Sequence, residues 1–192
     1  KEIILQKLKV KKNVKIIYLH AREIIERLSD NSLDIGFSGY DLLKETLANI
    51  QNKISVYKKY NFGNAKLVVA IPNQWIDVQT IADLEEIAFE FKDNKKQRLR
   101  VATKYPNLTR DFLFSKGVTQ FKLVKSLGAT ETYPFTGSSE IITDITSTGE
   151  TLKANDLKVL KDGIILESQA CLLISKKSKK KSTQCGLLNS FI

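Results

Sequence analysis

The chain has 192 residues, of which 42% are hydrophobic and 27% are charged, as in globular proteins with a buried core. This composition excludes a disordered chain, and no apolar run reaches the roughly 20 residues that a membrane-spanning helix needs. The net charge of +10 predicts an anionic partner, either a phosphate-bearing small molecule or nucleic acid. Two cysteines and one histidine do not favour a bound metal ion, and with no secretory signal we expect a cytoplasmic protein.

The amino-terminal half alternates amphipathic helices with apolar strands. Hydrophobic residues at helical spacing, charge pairs four residues apart and turn signals define each element. Thr80, with Asp83 three residues later, has the pattern of a capping box at a helix start. The polar stretch 92–98 is the expected crossing between two domains, so the boundary is placed at residue 99. The predicted elements are a helix over 20–28, a strand over 33–37, a helix reaching Ile50, a strand over 66–71 and a helix from Ile81 to Phe91.

The carboxy-terminal half continues this alternation. A turn at Asp162-Gly163 is predicted to join the last two strands into a hairpin. Buried, β-branched strands that alternate with helices favour an α/β architecture with mainly parallel sheets. The predicted elements are strands over 100–103, 121–126 and 141–145, helices over 108–116 and after Thr151, and strands over 157–160 and 164–174.

The segment from Asp144 to Leu152 carries the clearest chemical signal. An apolar strand there runs into hydroxyl residues and Gly149 at the start of a predicted helix. Backbone N–H groups at a helix start, a glycine that permits close approach and Thr or Ser hydroxyls together favour phosphate binding. Asp144, at the strand end, can accept hydrogen bonds from sugar hydroxyls. A capped turn without any binding function is the alternative interpretation of the same pattern.

This segment resembles the phosphoribosyl pyrophosphate loop of ATP phosphoribosyltransferases, in which an acidic residue precedes a Ser/Thr-rich Thr-Gly-x-Thr-Leu sequence. Further blocks that resemble this family occur in the family's order, from about residue 20 to residue 175. They are Leu33 to Leu43 with its glycine turn, Val101 to Arg110, Ser126 to Glu131, Ala154 to Leu157 and Ser168 to Ala170.

The resemblance implies two α/β lobes like those of periplasmic solute-binding proteins. We expect lobe one to comprise residues 1–99 and 167–192, and lobe two to comprise residues 100–166. The implied reaction transfers the phosphoribosyl group of phosphoribosyl pyrophosphate to N1 of ATP and releases pyrophosphate, which is the first step of histidine biosynthesis. Mg²⁺ is expected on the substrate pyrophosphate. No protein nucleophile is required, because catalysis comes from positioning and charge stabilisation.

The resemblance also assigns site residues. Lys104 and Arg110 are candidates for phosphate contacts, Tyr105 for packing near the nucleotide, and Glu131 for orienting an amine or hydroxyl. Each of these residues has an ordinary alternative as a surface cation, a packing residue or a cap. The expected ATP site consists of Gly39, Lys104, Tyr105, Arg110 and Glu131. The expected phosphoribosyl pyrophosphate site consists of Asp144, Thr146, Ser147, Thr148, Gly149, Glu150 and Thr151.

The sequence departs from the family pattern in several places. Asp111 stands where many relatives carry a basic or neutral residue, and Glu150 stands inside the phosphate loop. We expect the Glu150 carboxylate to point to solvent, since it would repel a bound phosphate. The family's opening strand, with its Lys- and Arg-containing turn, has no counterpart before Lys1, so we expect an amino-terminal segment to be missing.

Partners are predicted from the same resemblance. Little chain follows Ile174, which predicts a short-form enzyme that works in an oligomer with a regulatory subunit resembling histidyl-tRNA synthetase. A truncated carboxy terminus is the alternative explanation of the short chain. Neither nucleic acid nor a membrane is expected as a partner. Two alternatives remain open. They are a non-catalytic two-lobed protein that binds small anions, and a nucleic-acid binder that uses the lysine cluster at 176–181.

Overall fold

The computed structural model describes residues 15–178. None of the helices in this part of the chain is long and apolar enough to cross a membrane. The predictions about an opening strand, Cys185, most of the lysine cluster and the carboxy-terminal tail lie outside the described residues. The described elements, in chain order, are α1 (Ala21–Ser29), β1 (Ile35–Gly39), α2 (Tyr40–Glu45), α3 (Ala48–Gln51), β2 (Ile54–Lys59), β3 (Ala65–Pro72), α4 (Ile81–Lys95), β4 (Leu99–Thr103), α5 (Pro106–Ser115), β5 (Phe121–Lys125), a 3-10 turn (Thr130–Thr132), β6 (Ile141–Thr146), α6 (Glu150–Ala154), β7 (Leu157–Ser168) and β8 (Ala170–Ser175).

The chain divides into two compact units, and their boundary corrects the predicted one at residue 99. Unit 1 comprises the residues up to Tyr60 and those from Ala170 onward, and unit 2 comprises Asn61–Gln169. The strand β3 belongs to unit 2 because it pairs with both β6 and β7. The polar stretch 92–98 is therefore the exposed end of α4 and the turn after it, all within unit 2.

Unit 1 is built on an antiparallel sheet of order β1-β8-β2. The helix α1 starts after His20, whose Nδ1 accepts the Arg22 backbone N–H at 3.4 Å. One face of α1 packs into a core that also contains the buried thiol of Cys171. The sequence pattern does not predict β2, because its apolar alternation covers only Ile54 to Val56 and lysines follow; in the structure only Ile54 is buried.

The predicted helix reaching Ile50 is two short helices, α2 and α3. The Thr46 hydroxyl donates to the Leu43 carbonyl oxygen at 2.6 Å, and the Gln51 side-chain amide donates to the Lys44 and Thr46 carbonyl oxygens. These side chains satisfy carbonyl groups at the break, and such local bonds compete with the continuation of a helix.

Unit 2 is built on a mixed sheet of order β5-β4-β6-β3-β7. The strand β4 pairs in parallel with β5 and β6, whereas β3 pairs antiparallel with β6 and β7. Parallel neighbours need a long crossover connection. The helix α5 provides one from β4 to β5, and the segment 126–140 provides another from β5 to β6. Parallel pairing is thus limited to these three strands among the described residues.

Apolar residues cover both faces of this sheet, as expected for strands between two helical layers. On β3, Val69 and Ile71 pack under α4 and α5, while Val68 and Ala70 pack under α6. The predicted capping box starts α4 and is confirmed: the Thr80 N–H donates to Asp83 Oδ2 at 2.8 Å, and the Asp83 N–H donates to Thr80 Oγ1 at 3.3 Å.

The predicted hairpin at Asp162-Gly163 is wrong. The strand β7 runs for 12 residues through this position, with register shifts against β3. Instead of closing a turn, Asp162 Oδ1 accepts the Ile81 backbone N–H at 2.8 Å and so caps the start of α4. The chain passes to the sheet of unit 1 only at Ala170.

Candidate functional site

Three strands of unit 2 end at the same edge of the sheet, because β5, β4 and β6 run in parallel. Thr103 and Thr143 form the last pair between β4 and β6. The next residues, Lys104 and Asp144, therefore lie side by side just beyond this pair. Ligands of open α/β sheets bind outside the carboxyl ends of the strands, so this strand-end edge is the candidate site.

The Asp144 carboxyl group is the electrostatic centre of the strand-end edge. Burial raises its pKa above the ordinary value, while the hydrogen bond from the Ile145 backbone N–H, 2.9 Å long, lowers it. The positive charge of Lys104 lowers this pKa further, and the negative charge of Glu131 raises it. The structure thus brings Lys104 and Glu131 within electrostatic reach of Asp144, and all three are predicted site residues.

Glu131 is held in place by the loop that follows β5. It lies in the 3-10 turn Thr130–Thr132, directly after Ala129, whose backbone is left-handed with φ 43°. The hydroxyl oxygens of Ser126 and Thr130 are buried and lie 2.8 Å apart. This hydrogen bond joins the two ends of the loop that directly precedes Glu131.

The loop between β6 and α6 has the local features predicted for a phosphate loop. Gly149 adopts φ +80° directly before α6, and a Cβ atom at this residue would meet nothing within 4 Å. Thr146 Oγ1 accepts the Gly149 N–H at 2.9 Å, and Thr148 Oγ1 accepts the Glu150 N–H at 3.4 Å. The loop is therefore shaped by its own hydroxyls and open on the side of Gly149. Exposed side chains of the loop are Ser147, Thr148, Glu150 and Thr151.

The turn from β4 into α5 carries the other predicted contacts. Tyr105 is 6% exposed, and its backbone N–H donates to Thr103 Oγ1 at 2.9 Å. This burial favours a supporting role in the turn over stacking of the whole ring on a nucleotide. Arg110 is exposed, and its Nη1 donates to Asn107 Oδ1 at 3.3 Å. Within residues 15–178 the Arg110 guanidinium has no carboxylate partner, which leaves it available for a phosphate.

Sequence reasoning missed three hydroxyls beneath the strand-end edge. Thr103, Thr109 and Thr143 are 1%, 0% and 0% exposed, and their Oγ1 atoms contact one another. In the sequence, Thr103 ends the apolar run of β4 and Thr143 interrupts that of β6, each directly before a charged residue. A threonine at the end of or inside an apolar run, directly before a charged residue, was the one signal in the sequence for Thr103 and Thr143.

Two further predictions concern Gly39 and metal binding. Gly39 lies in unit 1, where it precedes α2 with φ −72°, so its place in the ATP site stays a prediction. No three His, Cys, Asp or Glu side chains of residues 15–178 converge on a position that could hold a metal ion.

Comparison with solved structures defines the class of fold. A substrate-binding protein of an amino acid ABC transporter superposes with a TM-score of 0.56 and 17% identity, covering 98% of this chain and 81% of that chain. The ATP phosphoribosyl transferase (HisG:HisZ) complex from Thermotoga maritima matches with a TM-score of 0.74 and 23% identity, covering 98% and 88%. The predicted two-lobed α/β fold of the periplasmic-binding-protein type is confirmed.

Sequence comparison defines the family within that fold. The family model of ATP phosphoribosyltransferase (HisG) matches residues 20–191. An ATP phosphoribosyltransferase of Chelativorans sp. is 47% identical over 167 residues, which cover 86% of this chain and 73% of that protein. One from Brucella melitensis biotype 2 is 49% identical over 164 residues, covering 85% and 71%. The chain belongs to the ATP phosphoribosyltransferase family. It is an enzyme, a pentosyltransferase of histidine biosynthesis, and a non-catalytic binding protein is not favoured.

Proposed function

We propose that the strand-end edge of unit 2 is where N1 of ATP displaces pyrophosphate from the anomeric carbon of phosphoribosyl pyrophosphate. The observation that supports this most directly is that Lys104 and Asp144 follow the last parallel pair of β4 and β6, with Lys104 and Glu131 both within electrostatic reach of Asp144. An ammonium group beside a carboxylate suits a ligand that carries both phosphates and sugar hydroxyls. The bond to pyrophosphate breaks as the bond from N1 forms, so the protein's task is to position two polyanions.

In this proposal, residues 144–151 hold the phosphoribosyl end of the substrate. The Asp144 carboxylate accepts hydrogen bonds from the ribose hydroxyls, and the 5′-phosphate lies against the open side of Gly149. The loop hydroxyls donate to the phosphate. The backbone N–H groups of Gly149 and Glu150, which donate to Thr146 Oγ1 and Thr148 Oγ1 in this structure, turn to the phosphate as well. The helix α6 has only five residues, so these local donors supply more of the attraction than a helix dipole does.

The triphosphate of ATP and the departing pyrophosphate would be held by Lys104 and Arg110. Both cations flank the start of α5, and the Arg110 fork can bind two phosphate oxygens at once. Glu131 would orient an amine or hydroxyl of the nucleotide. We assign Tyr105 to the support of this turn, because its side chain is buried.

Mg²⁺ would enter this site on the substrate. This ion prefers oxygen ligands in octahedral geometry and is commonly held by substrate phosphates with few protein carboxylates. Bound there, Mg²⁺ would neutralise part of the charge on the leaving group.

The regulatory partner belongs to the same proposal. The Thermotoga maritima structure with the same fold is that of a HisG:HisZ complex. Together with the family membership of the chain, this supports an oligomer in which a subunit resembling histidyl-tRNA synthetase carries the histidine feedback site. We place this assembly in the cytoplasm, where both substrates are available.

The test is pyrophosphate release from ATP and phosphoribosyl pyrophosphate with Mg²⁺, measured on the full-length protein. Asp144→Asn should lower kcat/KM about tenfold or more, because the ribose hydroxyls lose an anionic acceptor. Asp93→Asn is the matched control, since it removes the same charge from an exposed position of α4 in the same unit. Equal kcat/KM in the two variants would contradict the proposed site.

A further inference from the structure

We propose that Thr103, Thr109 and Thr143 form a closed ring of hydroxyls that positions β4, α5 and β6, which lead to predicted substrate contacts, relative to one another. This inference rests on the proposed function of the strand-end edge. The three side chains are positioning residues, because they are buried beneath this edge and act through the residues that follow them. We call the three hydroxyls the hydroxyl ring.

The hydrogen-bond pattern of the ring follows from counting protons. Thr143 Oγ1 donates to Thr103 Oγ1 at 2.6 Å, and the Tyr105 N–H donates to the same oxygen at 2.9 Å. Both lone pairs of Thr103 are thereby used, so its own proton is directed to Thr109, 3.1 Å away. The proton of Thr109 then goes to Thr143 at 2.7 Å and closes the ring. Each hydroxyl donates once and accepts at least once.

The ring joins three elements, and a predicted substrate contact directly follows the ring residue in each. Thr103 ends β4 and precedes Lys104, Thr109 lies in α5 and precedes Arg110, and Thr143 lies in β6 and precedes Asp144.

The hydroxyl ring and the Asp144 carboxylate lie on opposite faces of the sheet. Strand alternation puts Thr143 with Ile141 on the face covered by α4 and α5, and Asp144 with Ile142 on the other. The ring therefore fastens α5 to both strands from the face opposite to Asp144.

Stability alone does not explain three hydroxyls at this place. Valine has nearly the shape of threonine, and replacing a whole set of mutually bonded polar groups by apolar groups of the same shape can be nearly neutral for stability. Hydrogen bonds add direction, which apolar contacts lack, and so set the register and angle of α5 against β4 and β6. A misplacement of about 1 Å between reacting groups can cost about a hundredfold in rate.

The test compares Thr143→Val with Thr143→Ser in the full-length protein. Valine removes the hydroxyl and keeps the methyl group, whereas serine does the reverse. We expect Thr143→Val to lower kcat about tenfold or more with each KM changed less than about threefold, since each segment still binds its own substrate. Thr143→Ser should keep kcat within about threefold. A packing role predicts the opposite order, because only serine removes a buried methyl group.

A mutant cycle tests whether the ring acts as a unit. Loss of any member opens the ring, so Thr109→Val with Thr143→Val should lower kcat little more than the worse single variant does. Losses that multiply would overturn the ring. Ser139→Ala is the matched control. Ser139 is 2% exposed and lies just before the start of β6, where its hydroxyl donates to the Ile141 carbonyl oxygen and not to the ring. Its kcat should change less than about twofold.

Parallel assays separate failure of the ring from failure of the proposed site. Asp144→Asn and Arg110→Ala report on the strand-end edge itself. If these variants lower kcat/KM while Thr143→Val matches the unchanged protein, the ring proposal is wrong and the site assignment stands. If neither variant lowers kcat/KM, the site assignment is wrong and the ring proposal falls with it. Should Thr143→Val not fold by circular dichroism, Thr109→Val against Thr109→Ser makes the same comparison from the helix.

Discussion

Lys104 and Asp144 lie one residue beyond Thr103 and Thr143, the last pair of the parallel strands β4 and β6. Burial raises the pKa of the Asp144 carboxyl group, and the neighbouring ammonium group of Lys104 opposes that rise. The two side chains therefore form one electrostatic unit, so a change in either should alter how the other binds substrate.

Substitutions at Glu131 and Lys104 should move the pKa of Asp144 in opposite directions. Glu131→Gln removes a negative neighbour and lowers this pKa, while Lys104→Met removes a positive neighbour and raises it. If the ionised carboxylate binds the ribose, the acid limb of kcat/KM against pH moves to lower pH in the first variant and to higher pH in the second. The pH profiles of both variants, measured at saturating ATP, check this. Shifts in the same direction would refute the arrangement.

Asp144→Asn should stabilise the fold at neutral pH while it lowers activity. A raised pKa means that the folded state disfavours the ionised carboxylate relative to the unfolded state. This penalty is complete above the folded-state pKa and disappears as the pH falls below the ordinary value of 3.8. The Tm of the variant should therefore exceed that of the unchanged protein at pH 7 and approach it in acid. A lower Tm at pH 7 would count against burial as the cause of the raised pKa.

Gly149→Ala should weaken phosphoribosyl pyrophosphate binding about tenfold, because the added methyl group lies on the open side where the phosphate is expected. The left-handed backbone also makes alanine cost about 1–2 kcal/mol of stability. Gly137→Ala is a close control, since Gly137 has φ +67° and equally open surroundings. Calorimetric titration should show a loss of affinity only at Gly149. Equal affinities for the two variants would rule out the phosphate at this loop.

Arg110→Ala should weaken ATP binding about tenfold or more and phosphoribosyl pyrophosphate binding less, as a charge-assisted contact to phosphate is lost. Arg110→Lys should recover only part of the affinity, since lysine cannot bind two oxygens in the plane of a fork. Arg98→Ala removes the same charge from an exposed position of unit 2 and is the control. Binding of each substrate, measured separately, gives the comparison. Equal losses for both substrates would indicate a general electrostatic effect instead.

Histidine should inhibit the full-length protein only when the subunit resembling histidyl-tRNA synthetase is present. The proposed feedback site lies on that partner. Because the working enzyme is proposed to be the assembly with this partner, the chain by itself should also be poorly active. Pyrophosphate release, assayed with and without the partner over a range of histidine concentrations, measures both effects. Strong inhibition of the isolated chain would overturn the assignment of regulation to the partner.

The sequence by itself determined the elements whose signals lie close together in the chain. The capping box of Thr80 and Asp83 predicted the start of α4, and the pattern around Gly149 predicted the helix start after β6. The segments that carry Lys104, Glu131 and Asp144 were also identified from the sequence, through the family resemblance. Such signals can be read locally because periodicity, capping and turn chemistry involve residues within a few positions of one another.

Tertiary structure alone decided the relationships between distant residues. Asp162 lies in a strand that pairs with β3 on both sides of it, and its carboxylate caps Ile81, 81 positions away. The strand β3 joins unit 2 because its partners are β6 and β7. The contact between Thr109 and Thr143 likewise spans 34 positions. A buried polar group must find a partner wherever the fold supplies one, and a strand pairs with whichever edge is brought beside it. Neither choice is encoded in the spacing of neighbouring residues.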